Sequence, residues 1–160
     1  MKYAVGIDIG GTNTRVALIN ESYEIIERIQ FLTDVDDPDK TMDKIVETIS
    51  SFKLDIVGVG MSCPGPLDLI KGKILTTPNL HGKWHDCEIS KKLEEKIHIP
   101  VYLENDANLA ALAESVIGEG KAYDYVQYLT VSTGLGAGLV INKKILLVLM
   151  ALQMKLLIVV

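Results

Sequence analysis

The sequence is poor in cysteine, has no run of basic residues and opens without a leader-like segment. Each shortage removes a class of protein. Cys63 and Cys87 are its only cysteines. Two are too few for a disulfide framework, so free thiols and a cytoplasmic location are expected. Lysine and arginine are interspersed among a larger number of acidic residues, and the net charge is −5. That balance argues against a nucleic-acid surface. The apolar stretch after Lys2 is interrupted at Asp8, so no signal peptide is expected. The P-loop pattern G-x-x-x-x-G-K-S/T is missing, and the first glycine turn lacks the dinucleotide pattern G-x-G-x-x-G. His81, His85 and Cys87 lie close together, but they lack a fourth ligand and match no standard zinc spacing.

What is present fits one ordinary domain, or one plus the start of another: 160 residues, 48% of them hydrophobic. Tyr3 to Ile9 reads as a buried strand that turns at Gly10-Gly11. Arg15 to Ile19 returns as a second strand and Glu24 to Phe31 as a third, an antiparallel meander. Asp37-Pro38 has the form of an N-cap with proline in the first helical position. Met42, Ile45, Val46, Ile49 and Phe52 follow at helical spacing. A strand over Ile56 to Met61 leads into a loop from Ser62 to Asp68, and Gly72 to His85 reads mostly as loop. Ile89, Leu93 and Ile97 mark an amphipathic helix, Val101 to Leu103 a strand, and Ala107 to Ile117 a helix ending at Gly118. Tyr125 to Val131 and Leu139 to Ile141 flank a second glycine turn as strands. The order implies an α/β fold with a mixed sheet, helices on both faces, and a second domain starting near Lys121.

Three motifs carry candidate chemistry. The first is Asp8-Ile9-Gly10-Gly11-Thr12-Asn13. Glycines let a backbone approach a phosphate chain and aim N–H groups at it. Asp8 at the strand end is a candidate Mg²⁺ residue acting through water, because Mg²⁺ keeps much of its hydration. A tight turn whose aspartate bonds its own backbone explains the same residues. The second is Ser132-Thr133-Gly134-Leu135-Gly136-Ala137-Gly138, which reads either as a flexible hairpin or as a cradle for a terminal phosphate. The third is Glu104-Asn105-Asp106 between a strand and a helix. Asp106 is either an ordinary N-cap or a general base, held ionised by the helix N-terminus to take a proton from a substrate hydroxyl. Two glycine turns and a positioned carboxylate are what phosphoryl transfer asks of a protein. Trp84 reads equally as a packing anchor or a sugar-stacking ring.

Together these residues resemble the ROK family (repressor, open reading frame, kinase) of bacterial sugar kinases and related repressors. The resemblance runs from Tyr3 to about Ile145. It also rests on Pro64-Gly65-Pro66-Leu67-Asp68, Pro78-Asn79-Leu80, and Ala107-Asn108 with Ala110-Ala111-Leu112-Ala113-Glu114. It implies an actin-like ATPase (ribonuclease H-like) fold with ATP in a cleft between two domains. Residues 1–120 would form the N-terminal domain and 121–144 the first hairpin of the second. Asp106 would be the catalytic base. Gly65, Asn105 and Asp106 would bind the sugar. Asp8, Gly10, Gly11, Thr12, Asn13, Thr133 and Gly134 would face the nucleotide, with Mg²⁺ at Asp8. The implied partners are a hexose or N-acetylhexosamine and ATP, with neither nucleic acid nor membrane, and a homodimer in the full-length form. A sugar-sensing regulator or a non-catalytic remnant is the alternative. Family repressors place a helix-turn-helix before the first glycine turn, whereas here the first strand begins at Tyr3.

Residues 145–160 depart from that pattern, being apolar except for Gln153 and Lys155. A membrane span needs about 20 such residues. A one-base frameshift after the Lys144 codon is one explanation. With suitable synonymous codons the shifted frame of the tail reads Phe-Ile-Gly-Ala-His-Gly-Phe-Ala-Asp-Glu, which restores the family's Gly-x-x-Gly-x-Ala-x-Glu segment. A genuine apolar strand or helix is the other. A chain that ends in this way is expected to be a crippled kinase with an aggregation-prone tail.

Overall fold

The computed structural model describes residues 1–131 and 135–147. The expected tail beyond 147 and the candidates Thr133 and Gly134 lie outside the described residues. Contacts divide the chain into two units, Met1–Asp106 and Ala107–Val160.

The first unit is built on a five-stranded mixed sheet. β1 (Tyr3–Ile9), β2 (Asn13–Asn20) and β3 (Ile25–Leu32) form the expected meander. β4 (Ile56–Cys63) lies parallel to β1. Two short strands follow, β5 (Leu67–Asp68) and β6 (Lys73–Ile74), which pair with each other, and Ile74 also bridges Cys87. β7 (Val101–Asn105) joins the large sheet parallel to β4, giving the order β3-β2-β1-β4-β7. Strand alternation puts Val5, Ile7, Ile9, Val59 and Met61 on one buried face. Helices α1 (Pro38–Ser51) and α2 (Ile89–Ile97) cover that same face, through Met42, Ile45, Ile89 and Leu93. Within this unit both helices therefore share one side of the sheet.

Local signals account for the helix ends. Asp37 caps α1, its carboxylate accepting from the Asp39 N–H at 3.1 Å, with Pro38 inside the first turn. α2 ends at His98, whose φ of 56° gives the left-handed cap. Lys92–Asp39 and Lys96–Asp43 ion pairs, at 3.1 and 2.8 Å, link the outer surfaces of the two helices. Such exposed pairs contribute little each.

The acidic segment before α1 also sets a pH dependence. Backbone N–H groups of Asp37 and Asp36 hold the Asp34 carboxylate below its ordinary value, and the Lys83 ammonium lowers Asp37. A carboxylate depressed in the folded state stabilises the fold above the unfolded value of about 4 and loses that contribution as pH falls through the lower folded value. The melting temperature is expected to drop below pH 4. Asp37→Ala should also lower the melting temperature at neutral pH through the lost cap, and it should flatten the acid limb of the melting curve.

In the second unit, α3 (Asp106–Val116) is followed by a single 3₁₀ turn over Glu119–Ala122. β8 (Tyr125–Val131), β9 (Leu135–Ile141) and β10 (Lys144–Ile145) form a sheet in the order β10-β9-β8. Gly136 and Gly138 sit inside β9. A Cβ on Gly138 would collide with the Ala107 carbonyl and meet Ala111 at 2.9 Å. Gly138 lets α3 lie close against the strand, while Gly136 makes room for Thr130 of β8.

Candidate functional site

β1, β4 and β7 run parallel and adjacent, so their carboxyl ends lie along one edge of the sheet. Each end carries one of the motifs. Gly10-Gly11 follows β1, Pro64-Gly65-Pro66 follows β4, and Asp106 follows β7 as the first residue of α3. Asp8, Gly65, Asn105 and Asp106, far apart in sequence, therefore share one edge of the first unit. Open α/β sheets receive ligands at such an edge.

The first turn is a tight hairpin connection, with the Gly10 N–H donating to the Asn13 carbonyl at 3.0 Å. Thr33, beyond β3, braces it from below. Its N–H donates to the Thr12 carbonyl at 3.0 Å and its hydroxyl to the Gly10 carbonyl at 2.8 Å. That hydroxyl also lies 2.9 Å from the buried Thr14 hydroxyl. Among the described residues, the N–H groups of Gly11 and Thr12 donate to no protein acceptor. A rigid turn with outward N–H groups suits an anion.

Asp8 does not bond its own backbone. Its two carboxylate oxygens accept from Arg15 Nη1 at 2.8 Å and from the Ser62 hydroxyl at 3.2 Å. Register explains the meeting, because Gln30, Arg15, Asp8, Ser62 and Glu104 stand side by side across five strands. Arg15 Nε donates in turn to Gln30 Oε1 at 3.1 Å. Arg15 and Ser62 were not legible as site residues, since each reads alone as the polar position of a strand. Only the pairing of β1 with both neighbours brings them to Asp8.

Cys63 registers the two carboxylates from behind. It is fully buried at the end of β4, opposite Asn105 in register. Burial first, then the negative charges of Asp106 and Asp8, push its thiol well above the ordinary range. Asp8 and Asp106 thus both act on one buried sulfur. The loop after β4 contains a cis Gly65–Pro66 peptide and is tied back by the Leu75 N–H to the Pro66 carbonyl at 3.1 Å. Asp106 itself is exposed and Asn105 half-buried.

Trp84 is a packing anchor. It is fully buried, and its indole N–H donates to the Asp34 carbonyl at 2.8 Å. Among the described residues no group of three or more His, Cys, Asp or Glu side chains could hold a metal ion. Asp8 is the one acidic side chain of the Asp8–Asn13 turn, and its carboxylate is paired with Arg15. No described helix is long and apolar enough to cross a membrane.

Comparison with known proteins matches the same stretch. Residues 4–147 match the ROK family. A glucokinase of Halalkalibacterium halodurans is 32% identical, over 91% of this chain and 46% of its own length. A xylose repressor of Bacillus subtilis is 32% identical, over 88% of this chain and 38% of its own. Among solved structures, a ROK family glucokinase from Streptomyces griseus in complex with glucose and AMPPNP aligns with a TM-score of 0.79 and 31% identity. That alignment covers 89% of this chain and 46% of the other. The chain spans about half the length of the curated relatives it matches.

Proposed function

The chain belongs to the ROK family, and from that premise we propose that it is the N-terminal portion of an ATP-dependent sugar kinase acting on a hexose or N-acetylhexosamine. The actin-like ATPase fold of its structural relatives accompanies that membership. The observation that carries the reading is the convergence of Gly10-Gly11, Gly65 and Asn105-Asp106 at the ends of three parallel strands. In this reading residues 1–120 are the N-terminal domain, 121–144 open the second, and the 145–160 tail reflects a frameshift that resequencing after codon 144 would expose.

Each residue then has a task. Asn105 and the backbone at Gly65 orient the sugar. The Asp106 carboxylate takes the proton of the attacking hydroxyl as that oxygen bonds to the terminal phosphorus of ATP and the bond to ADP breaks. The N–H groups of Gly11 and Thr12, the side chains of Thr12 and Asn13, and the Arg15 guanidinium receive the phosphates from one side. Thr133 and Gly134, outside the described residues, are assigned to the nucleotide as well. Mg²⁺ would be held by Asp8 through water and by the phosphates themselves, and it would supply neutralisation of their charge.

The test is sugar-dependent release of ADP by the full-length protein, measured across hexoses and N-acetylated amino sugars. Turnover of at least one sugar is expected. A protein that turns over none overturns the kinase reading. The xylose repressor among its relatives favours a sugar-sensing regulator as the second reading. That reading expects sugar binding without phosphorylation.

A further inference from the structure

The motif Pro78-Asn79-Leu80 lies outside the strand ends described above, yet it touches the first glycine turn. Thr77 and Leu80, both buried, bridge a tight turn, and the Thr77 hydroxyl accepts from the Leu80 N–H at 3.1 Å. Pro78 and Asn79 form its exposed tip. That tip rests on Gly11. The space a Cβ would take at Gly11 is filled by the Asn79 Cβ, with the Asn79 Cγ and carbonyl oxygen each 3.3 Å away. Gly11 is glycine because Asn79 occupies that place.

The tip is fixed by the same scaffold that braces the glycine turn. The His81 N–H donates to the Val35 carbonyl at 2.7 Å, the Lys83 N–H to the Asp36 carbonyl at 3.1 Å, and the Trp84 indole to the Asp34 carbonyl. Thr33, immediately before this segment, holds the carbonyls of Gly10 and Thr12. Among the described residues the Asn79 side-chain amide has no hydrogen-bond partner, like the N–H groups of Gly11 and Thr12 beside it. A neutral amide carried on a Cβ packed against Gly11 adds a donor beside the turn without adding charge.

We propose that Asn79 is a phosphoryl-binding residue, its side-chain NH₂ donating to the phosphate group received by the Gly10-Gly11 turn. The inference rests on the nucleotide reading of that turn and adds a contact to it. The test uses ¹⁵N-labelled chain, with Mg²⁺-ATP and adenosine as probes, and follows the Gly11 and Thr12 amide resonances. Asn79→Asp keeps the shape that packs on Gly11 and replaces a donor with a negative charge. ATP is expected to shift both amides in the unaltered chain and adenosine to leave them in place. Asn79→Asp should weaken the ATP response at least tenfold, and Asn79→Ala by about threefold to tenfold, with melting temperatures unchanged for Asp. An unaltered chain that responds to ATP, together with an Asn79→Asp variant that responds equally, overturns the Asn79 assignment alone. An unaltered chain whose Gly11 and Thr12 amides ignore ATP overturns the nucleotide reading of the turn and the assignment with it.

Discussion

Asp106→Asn is expected to lower ATP-dependent sugar phosphorylation by about 10²–10⁴-fold, the range for removing a general base, while sugar and nucleotide affinities stay within a few-fold. Asparagine matches aspartate in size and can still bond at a helix start, so the first turn of α3 should survive. What it cannot do is take the hydroxyl proton. The position suits that task. Asp106 is exposed at the end of β7, where α3 begins, and its charge reaches the same buried Cys63 that the Asp8 charge reaches. The helix N-terminus favours a negative charge there. A coupled ADP assay, run with binding titrations of both ligands, separates a lost base from a lost site. Loss of sugar affinity in step with rate would make Asp106 a binding residue only.

Trp84→Ala should be the most damaging single change to the first unit, costing about 3–5 kcal/mol. The side chain is wholly buried in the core cluster that joins the sheet to α1 and α2. Its removal leaves a large cavity and also orphans the Asp34 carbonyl that the indole N–H satisfies. Trp84→Phe separates the two effects. It keeps most of the ring volume, loses the hydrogen bond, and should cost about 1–3 kcal/mol. Urea unfolding followed by circular dichroism measures both. A variant within 1 kcal/mol of the parent would contradict the anchoring role. Because Asp34 adjoins Thr33, the alanine variant is also expected to loosen the glycine turn and weaken nucleotide binding.

The elements written into the sequence by periodicity or by caps were legible. β1 and β2 show as apolar runs around Gly10-Gly11. α1 announces itself through Asp37-Pro38 and its Met42, Ile45, Ile49 stripe, and α2 through Ile89, Leu93 and Ile97. The pieces that escaped depend on partners distant in sequence. β4 runs on through Ser62 and Cys63 because β1 and β7 pair with Ser62 on either side and β7 pairs with Cys63. A polar pair before Pro64 gives no local sign of this. β5 and β6 are two residues each and too short for any period. β9 begins at Leu135 because it pairs there with Val131 of β8, whereas in the sequence Gly136 and Gly138 read as a continuing turn.

The candidate site was legible to the same extent. Asp8, Gly10, Gly11, Gly65, Asn105 and Asp106 stand out as glycines, an aspartate at a strand end and a strand-to-helix carboxylate. Arg15, Ser62 and Thr33 do not stand out, because their roles arise from strand register and from a brace that reaches across the sheet. Asn79 was visible as a motif but not as a neighbour of Gly11.

The most direct measurement follows the phosphorus itself. Full-length protein is incubated with ATP labelled at the terminal phosphate and with a sugar that stimulates ADP release. The account predicts that the label appears in a sugar phosphomonoester in equal amount with ADP, and that Asp106→Asn abolishes this transfer. Label found only in inorganic phosphate, or remaining in ATP with every sugar tried, would contradict it.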